Sequence, residues 1–224
     1  MSKQISPKPF IAEFIGTFAF VFVGIGSICA DSITGGKLGL TGIALAHGLG
    51  IGVMASATAA ISGGHLNPAV TISLWVTKKI DSVNAIGYII AQCLGSIFAA
   101  ILIKGAVPAA VLLTVGMGTP AVGEGIGVNM ALLTEMLLTF FLVFVVFGTA
   151  VDARAPKCGA LFIGLTVAMD ILMGGPISGA AMNPARYIGP ALVGGGLQNA
   201  WIYVVGPVVG GTLAALVYKF QLEK

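Results

Sequence analysis

The chain has 224 residues, 57% of them hydrophobic and only 8% charged, with 33 glycines and a mean hydropathy of +1.04. That balance excludes a water-soluble globular domain, and a net charge of +3 spread over scattered Lys and Arg gives a nucleic-acid partner nothing to bind. Cys29, Cys93 and Cys158 are odd in number and dispersed, so they suggest neither a disulfide framework nor a metal site.

Residues 1–9 look like a basic leader, but the apolar run behind them has no small-residue cleavage site before Asp31, so the run reads as a retained first span. Apolar stretches of membrane-crossing length follow in order: Phe10–Ala30, Leu40–Ile61, Val83–Ile103, Asn129–Val151, Gly159–Gly174 and Asn199–Phe220. Six spans predict an all-α membrane protein with both termini on one face. Lys3, Lys8, Lys78, Lys79, Arg154, Lys157, Lys219 and Lys224 fall on the termini and the even-numbered connections, against Lys37, Lys104 and Arg186 on the other side. Short cytoplasmic loops keep positive charge, so the termini are expected in the cytoplasm, with the plasma membrane as the expected site.

Asn67-Pro68-Ala69 follows the second span, and Asn183-Pro184-Ala185 follows the fifth. Asn is a favoured N-cap and Pro a favoured first helical residue, so each copy starts a helix where a bilayer should forbid one. From Asn67 to Trp75 is 9 residues, about 14 Å of helix, roughly half the ~30 Å hydrocarbon core. The run after Asn183 ends similarly, at Val193. Two re-entrant half-helices from opposite faces are predicted to meet tip to tip. Each tip carries about half a positive charge, so the meeting point repels cations, a hopping proton included. With each Asn oxygen engaged in capping, its NH2 group is free to donate into a lumen.

The approaches Ser62-Gly63-Gly64-His65-Leu66 and Ser178-Gly179-Ala180-Ala181-Met182 read as non-helical. Carbonyls of Gly63, Gly64, His65, Gly179, Ala180 and Ala181 are expected along one wall. Glu13 and Glu135, at equivalent places in the apolar register, are assigned to holding the loop N–H groups from behind.

The chain aligns with itself. At an offset of 116, Ala44–Leu49 falls on Ala160–Leu165, Ser62 on Ser178 and Asn67 on Asn183; at 115, Tyr88 and Gly95 meet Tyr203 and Gly210; at 122, Glu13, Thr17 and Phe18 meet Glu135, Thr139 and Phe140. Each half has three spans, an odd number, so the tandem repeats are inverted. One channel-type domain is expected over 1–224: repeat 1 to about residue 104, a connector over about 105–128, and repeat 2 over about 129–224.

Three segments now carry a family resemblance: Ala12-Glu13-Phe14-Ile15-Gly16-Thr17, Ser62 through Thr71, and Met182-Asn183-Pro184-Ala185-Arg186. The chain resembles the aquaporins, of the major intrinsic protein family, over nearly its whole length. The resemblance implies six transmembrane helices plus two re-entrant half-helices. It further implies a passive channel for water and small neutral solutes, a homotetramer with one pore per subunit, and no cofactor.

Arg186 sits in the first turn of its half-helix, where the dipole disfavours a cation, so it reads as a filter residue that donates to solutes and rejects positive ions. Aquaporin filter positions fall, by resemblance, on His47, Ile171 and Ala180 as well. His47 also lies about seven residues, ~10 Å, into an inward-running span, level with Arg186. This set resembles that of plant vacuolar aquaporins and implies passage of ammonia and urea, with slow glycerol. Tyr187 and Ala191 stand where glycerol-preferring relatives carry Asp and a basic residue, which argues against a dedicated glycerol channel. Asp170 reads two ways: orienting His47 or Arg186 from behind, or lying near the outer interface. A secondary transporter also uses inverted repeats, but paired amides and helix N-termini make a poor cation site. An enzyme is disfavoured, since no nucleophile–base pair or metal-ligand cluster falls at matched depths.

Overall fold

Peptide groups inside a bilayer have no water to pair with, so each long apolar run must be helical. In the computed structural model, which describes residues 6–155 and 157–223, it is. The helices are α1 (Lys8–Ile33), α2 (Gly39–Ser62), α3 (Pro68–Val76), α4 (Ser82–Ala106), α5 (Ala109–Thr114), α6 (Val128–Val146), α7 (Gly159–Ser178), α8 (Pro184–Gly194) and α9 (Ile202–Val217). Six of them are long and apolar enough to cross a membrane, α6 and α9 with the wider turns that extend them to Val151 and Leu222. No strand occurs among the described residues. Lys3 and Lys224, counted above with the basic residues of the termini face, lie outside them.

The packing repeats as the sequence does. α1 packs on α4 and α2; α6 packs on α9 and α7; α3 lies against α9 and α8 against α4, so each half-helix is held largely by the other repeat. The repeats join where α2 crosses α7. A β-carbon at Gly48 would lie 2.6 Å from the Gly164 carbonyl oxygen, and one at Gly164 would lie 2.4 Å from that of Gly48. These residues are equivalent under the offset of 116, so the crossing sits on the internal pseudo-twofold axis, and no side chain fits there.

The stretch read as a plain connector is more ordered than its Gly and Pro content suggests. α4 runs on through Lys104 to Ala106, α5 forms behind Pro108, and Met117 is buried with a left-handed backbone (φ 59°). Six residues are too few to show a helical period, and Met117 is buried by tertiary contacts that sequence pattern does not encode.

Candidate functional site

The two loops that feed the half-helices share one backbone course. Gly63 (φ 90°), Gly64 (63°) and Leu66 (50°) match Gly179 (80°), Ala180 (43°) and Met182 (52°). Left-handed residues cannot continue a helical ladder, so their peptide groups need partners from elsewhere. Glu13 supplies them to the first loop. Its Oε1 accepts from the Ser62 hydroxyl (2.6 Å) and the His65 N–H (2.9 Å), and its Oε2 accepts from the Leu66 N–H (2.7 Å) and the Gln92 amide (2.8 Å). Glu135 accepts from the Ser178 hydroxyl (2.7 Å) and the N–H groups of Ala181 and Met182 (both 2.8 Å). Gln92 has no counterpart, because Pro207 occupies its equivalent position.

Each half-helix is capped as its sequence requires. Asn67 Oδ1 accepts from the Ala69 N–H (2.8 Å), and Asn183 Oδ1 from those of Ala185 (2.9 Å) and Arg186 (3.3 Å). The NH2 groups differ from expectation. Asn67 Nδ2 donates to the Met182 carbonyl and Asn183 Nδ2 to the Leu66 carbonyl, both at 2.9 Å. Only one N–H of each amide is therefore left for a passing molecule. The reason is the left-handed turn before each Asn, which brings a carbonyl without a helical partner within reach of the opposite tip.

A cavity of about 300 Å³ has walls that include His47 and Arg186 at one end, Asn67 and Asn183 between, and Lys79, Ala150 and Val151 toward the face bearing the termini. His47, Ile171, Ala180 and Arg186 all border it, together with Gly63, Gly64, His65 and Ala181. Gly179 does not. On the side a β-carbon would take it is pressed against the connector, where that atom would lie 2.8 Å from Pro120 Cα. Pro68, Ala69, Pro184 and Ala185 are buried in the first turns of α3 and α8, off the wall. His65 is fixed by Thr71 Oγ1 (3.1 Å) and lies edge-on to the Tyr88 ring.

The end opposite the termini is polar and asymmetric. His47 Nδ1 is 2.8 Å from the Ile43 carbonyl, which can only accept, so Nδ1 carries the hydrogen. Nε2 is left with a lone pair, and Arg186 Nη2 donates to it over 3.2 Å. Arg186 Nε and Nη1 are buried without a protein partner, leaving guanidinium donors uncommitted at the cavity wall. Asp170 makes no hydrogen bond to His47 or Arg186; it is 2% exposed, and its Oδ2 is unpartnered. Adjacent residues on a helix diverge by about 100°, which turns Asp170 off the wall that Ile171 joins.

The apolar wall carries no motif of its own, but the internal repeat points to it. The offset that pairs Glu13 with Glu135 pairs Phe20 with Leu142, and the offset that pairs Asn67 with Asn183 pairs Ile51 with Val167; all four border the cavity.

The family model described as major intrinsic protein matches residues 1–218. Aquaporin TIP4-4 of Zea mays is 46% identical over 217 residues, covering 93% of this chain and 84% of that protein. Aquaporin TIP2-3 of Arabidopsis thaliana is 44% identical over 223 residues, covering 95% and 86%. Among solved structures, the aquaglyceroporin from Plasmodium falciparum superposes with a TM-score of 0.86 at 25% identity, covering 96% of each chain.

Proposed function

This chain belongs to the major intrinsic protein family, and from that premise we propose how its residues conduct water and small neutral solutes passively through a membrane. It is a multi-pass membrane channel, not an enzyme. The observation that carries the proposal is the opposed pair Asn67 and Asn183, capping two half-helices in the wall of one cavity.

A water between them accepts from the free N–H of each Asn, so its own hydrogens point up and down the file. No donor–acceptor chain then crosses the centre, and the partial positive charge of the two tips repels a cation. Unpaired carbonyls of Gly63, Gly64 and His65 on one side and of Ala180 and Ala181 on the other guide the file, braced by Glu13 and Glu135. Arg186, His47, Ile171 and Ala180 form the filter. Small Ala180 and apolar Ile171 leave room beside the cation, which supports urea and ammonia as further solutes, with slow glycerol.

The assembly is a homotetramer of single-domain subunits, supported by family resemblance. The termini lie in the cytoplasm, supported by Lys8, Lys78, Lys79, Arg154, Lys157 and Lys219 on their face. The TIP names of the relatives and the vacuolar type of the filter favour an internal membrane over the plasma membrane expected from the sequence.

Stopped-flow shrinkage of proteoliposomes tests the proposal. Linear, non-saturating water flux with a low activation energy is expected, with urea and ammonia also crossing. Saturable uptake coupled to an ion gradient would overturn the channel; flux of water alone would overturn the solute range.

A further inference from the structure

Gly24, in the middle of α1, lies against the imidazole of His47. A β-carbon there would sit 2.6 Å from Nε2, 2.9 Å from Cδ2 and 3.3 Å from Cε1, closer than packed atoms approach. Nε2, the nearest, is also the atom that accepts from Arg186. The ring has no free direction within its own wall, since Nδ1 is tied to the Ile43 carbonyl and the ring stands edge-on to Phe20 at 6.0 Å between centroids.

The backbone does not ask for glycine. α1 is regular through this position, and glycine inside a helix is disfavoured relative to alanine. Nor is a close helix crossing responsible, because the three nearest atoms to the missing β-carbon all belong to the His47 ring rather than to backbone. The second repeat divides the space the other way: Val146 stands at the position equivalent to Gly24 and Ile163 at that of His47, and both border the cavity. One wall therefore pairs two aliphatic side chains, the other an imidazole and an empty position.

We propose that Gly24 is a selectivity-determining residue: its missing side chain is the recess into which the His47 ring withdraws, and this sets the width of the lumen that His47 and Arg186 border together with Ile171 and Ala180. Gly24 touches no solute and acts by positioning His47. The inference rests on the channel reading and on His47 as a filter residue, and it adds to that filter a position outside the cavity wall.

The test compares the parent protein, Gly24→Ala, His47→Ala and the double variant in proteoliposomes, reading water and urea permeabilities separately. A parent without water flux overturns the channel reading itself. With a conducting parent, Gly24→Ala should lower the urea-to-water ratio by about fivefold or more while water flux falls no more than about twofold, because the ring is driven into the lumen. In the His47→Ala background the same substitution should leave the ratio unchanged. An unchanged ratio in the single variant, or an equal drop in both backgrounds, overturns the proposal. Should Gly24→Ala alone fail to assemble, assembly of the double variant supports the proposal; failure of both, with His47→Ala intact, overturns it.

Discussion

Lys104 and Lys219 stand 115 residues apart and perform the same task at opposite ends of the molecule. Lys104 Nζ donates to the Val193 carbonyl in the last turn of α8 (3.1 Å), and Lys219 Nζ to the Thr77 carbonyl at the end of α3 (2.7 Å). The C-terminal end of a helix is electronegative and leaves carbonyls unpaired, so a cation there is favourable. Replacing either lysine by Met keeps the aliphatic stem and removes the charge. Each change should cost about 0.3–1 kcal/mol, read as a lower unfolding midpoint in detergent. The two effects should add, since the sites are remote; a variant as stable as the parent would show that the contact contributes nothing.

Arg186 and His47 hold each other through one hydrogen bond, so removing the guanidinium frees both space and the ring. Arg186→Val should raise the urea-to-water permeability ratio about tenfold, the scale of one lost polar discrimination in a pocket. Proteoliposome flux measures it, and a ratio at or below the parent value would remove Arg186 from the filter.

Ala180 carries a β-carbon at φ 43°, where its equivalent Gly64 carries none at φ 63°. Left-handed backbone costs a residue with a β-carbon about 1 kcal/mol, so Ala180→Gly should hold or raise the unfolding midpoint despite the freer unfolded chain. Gly64→Ala should do the reverse, by about 1–3 kcal/mol, because its β-carbon would lie 2.8 Å from the Ala55 carbonyl oxygen. Equal effects of the two substitutions would refute this account.

Asp152, just beyond α6, pairs with Arg154 and accepts from the Tyr218 hydroxyl at 3.0 Å. The hydrogen bond from the Arg154 guanidinium, then that from its backbone N–H, holds the carboxyl well below the usual carboxylate range. A lowered value in the folded state gives stability that is complete above the ordinary Asp value of about 3.9 and is lost as pH falls toward the folded value. Unfolding midpoints taken from pH 7 to pH 3 should therefore drop more for the parent than for Asp152→Asn. Matching acid slopes would mean that the pair does not bind the turn to α9.

Local chemistry made much of this molecule legible. An Asn oxygen reaches an N–H two residues on, so the starts of α3 and α8 follow from three letters each, and apolar run length fixes the spans to within a few residues. What crosses between repeats was less legible. The donation of each Asn to the opposite loop depends on carbonyl directions set by left-handed residues such as Leu66 and Met182, which residue type alone does not announce. Gln92 was missed because its partners, Glu13 and Thr71, are distant in sequence. The contact between Gly24 and His47 was missed because an absent side chain leaves no mark in a hydrophobic pattern.

The reciprocal bonds at the centre have a mechanical result. Because the Asn67 side chain grips the Met182 carbonyl and the Asn183 side chain grips the Leu66 carbonyl, the two tips are laced together, and withdrawing either one unties both knots. The waist of the conduit is thus a fixed aperture.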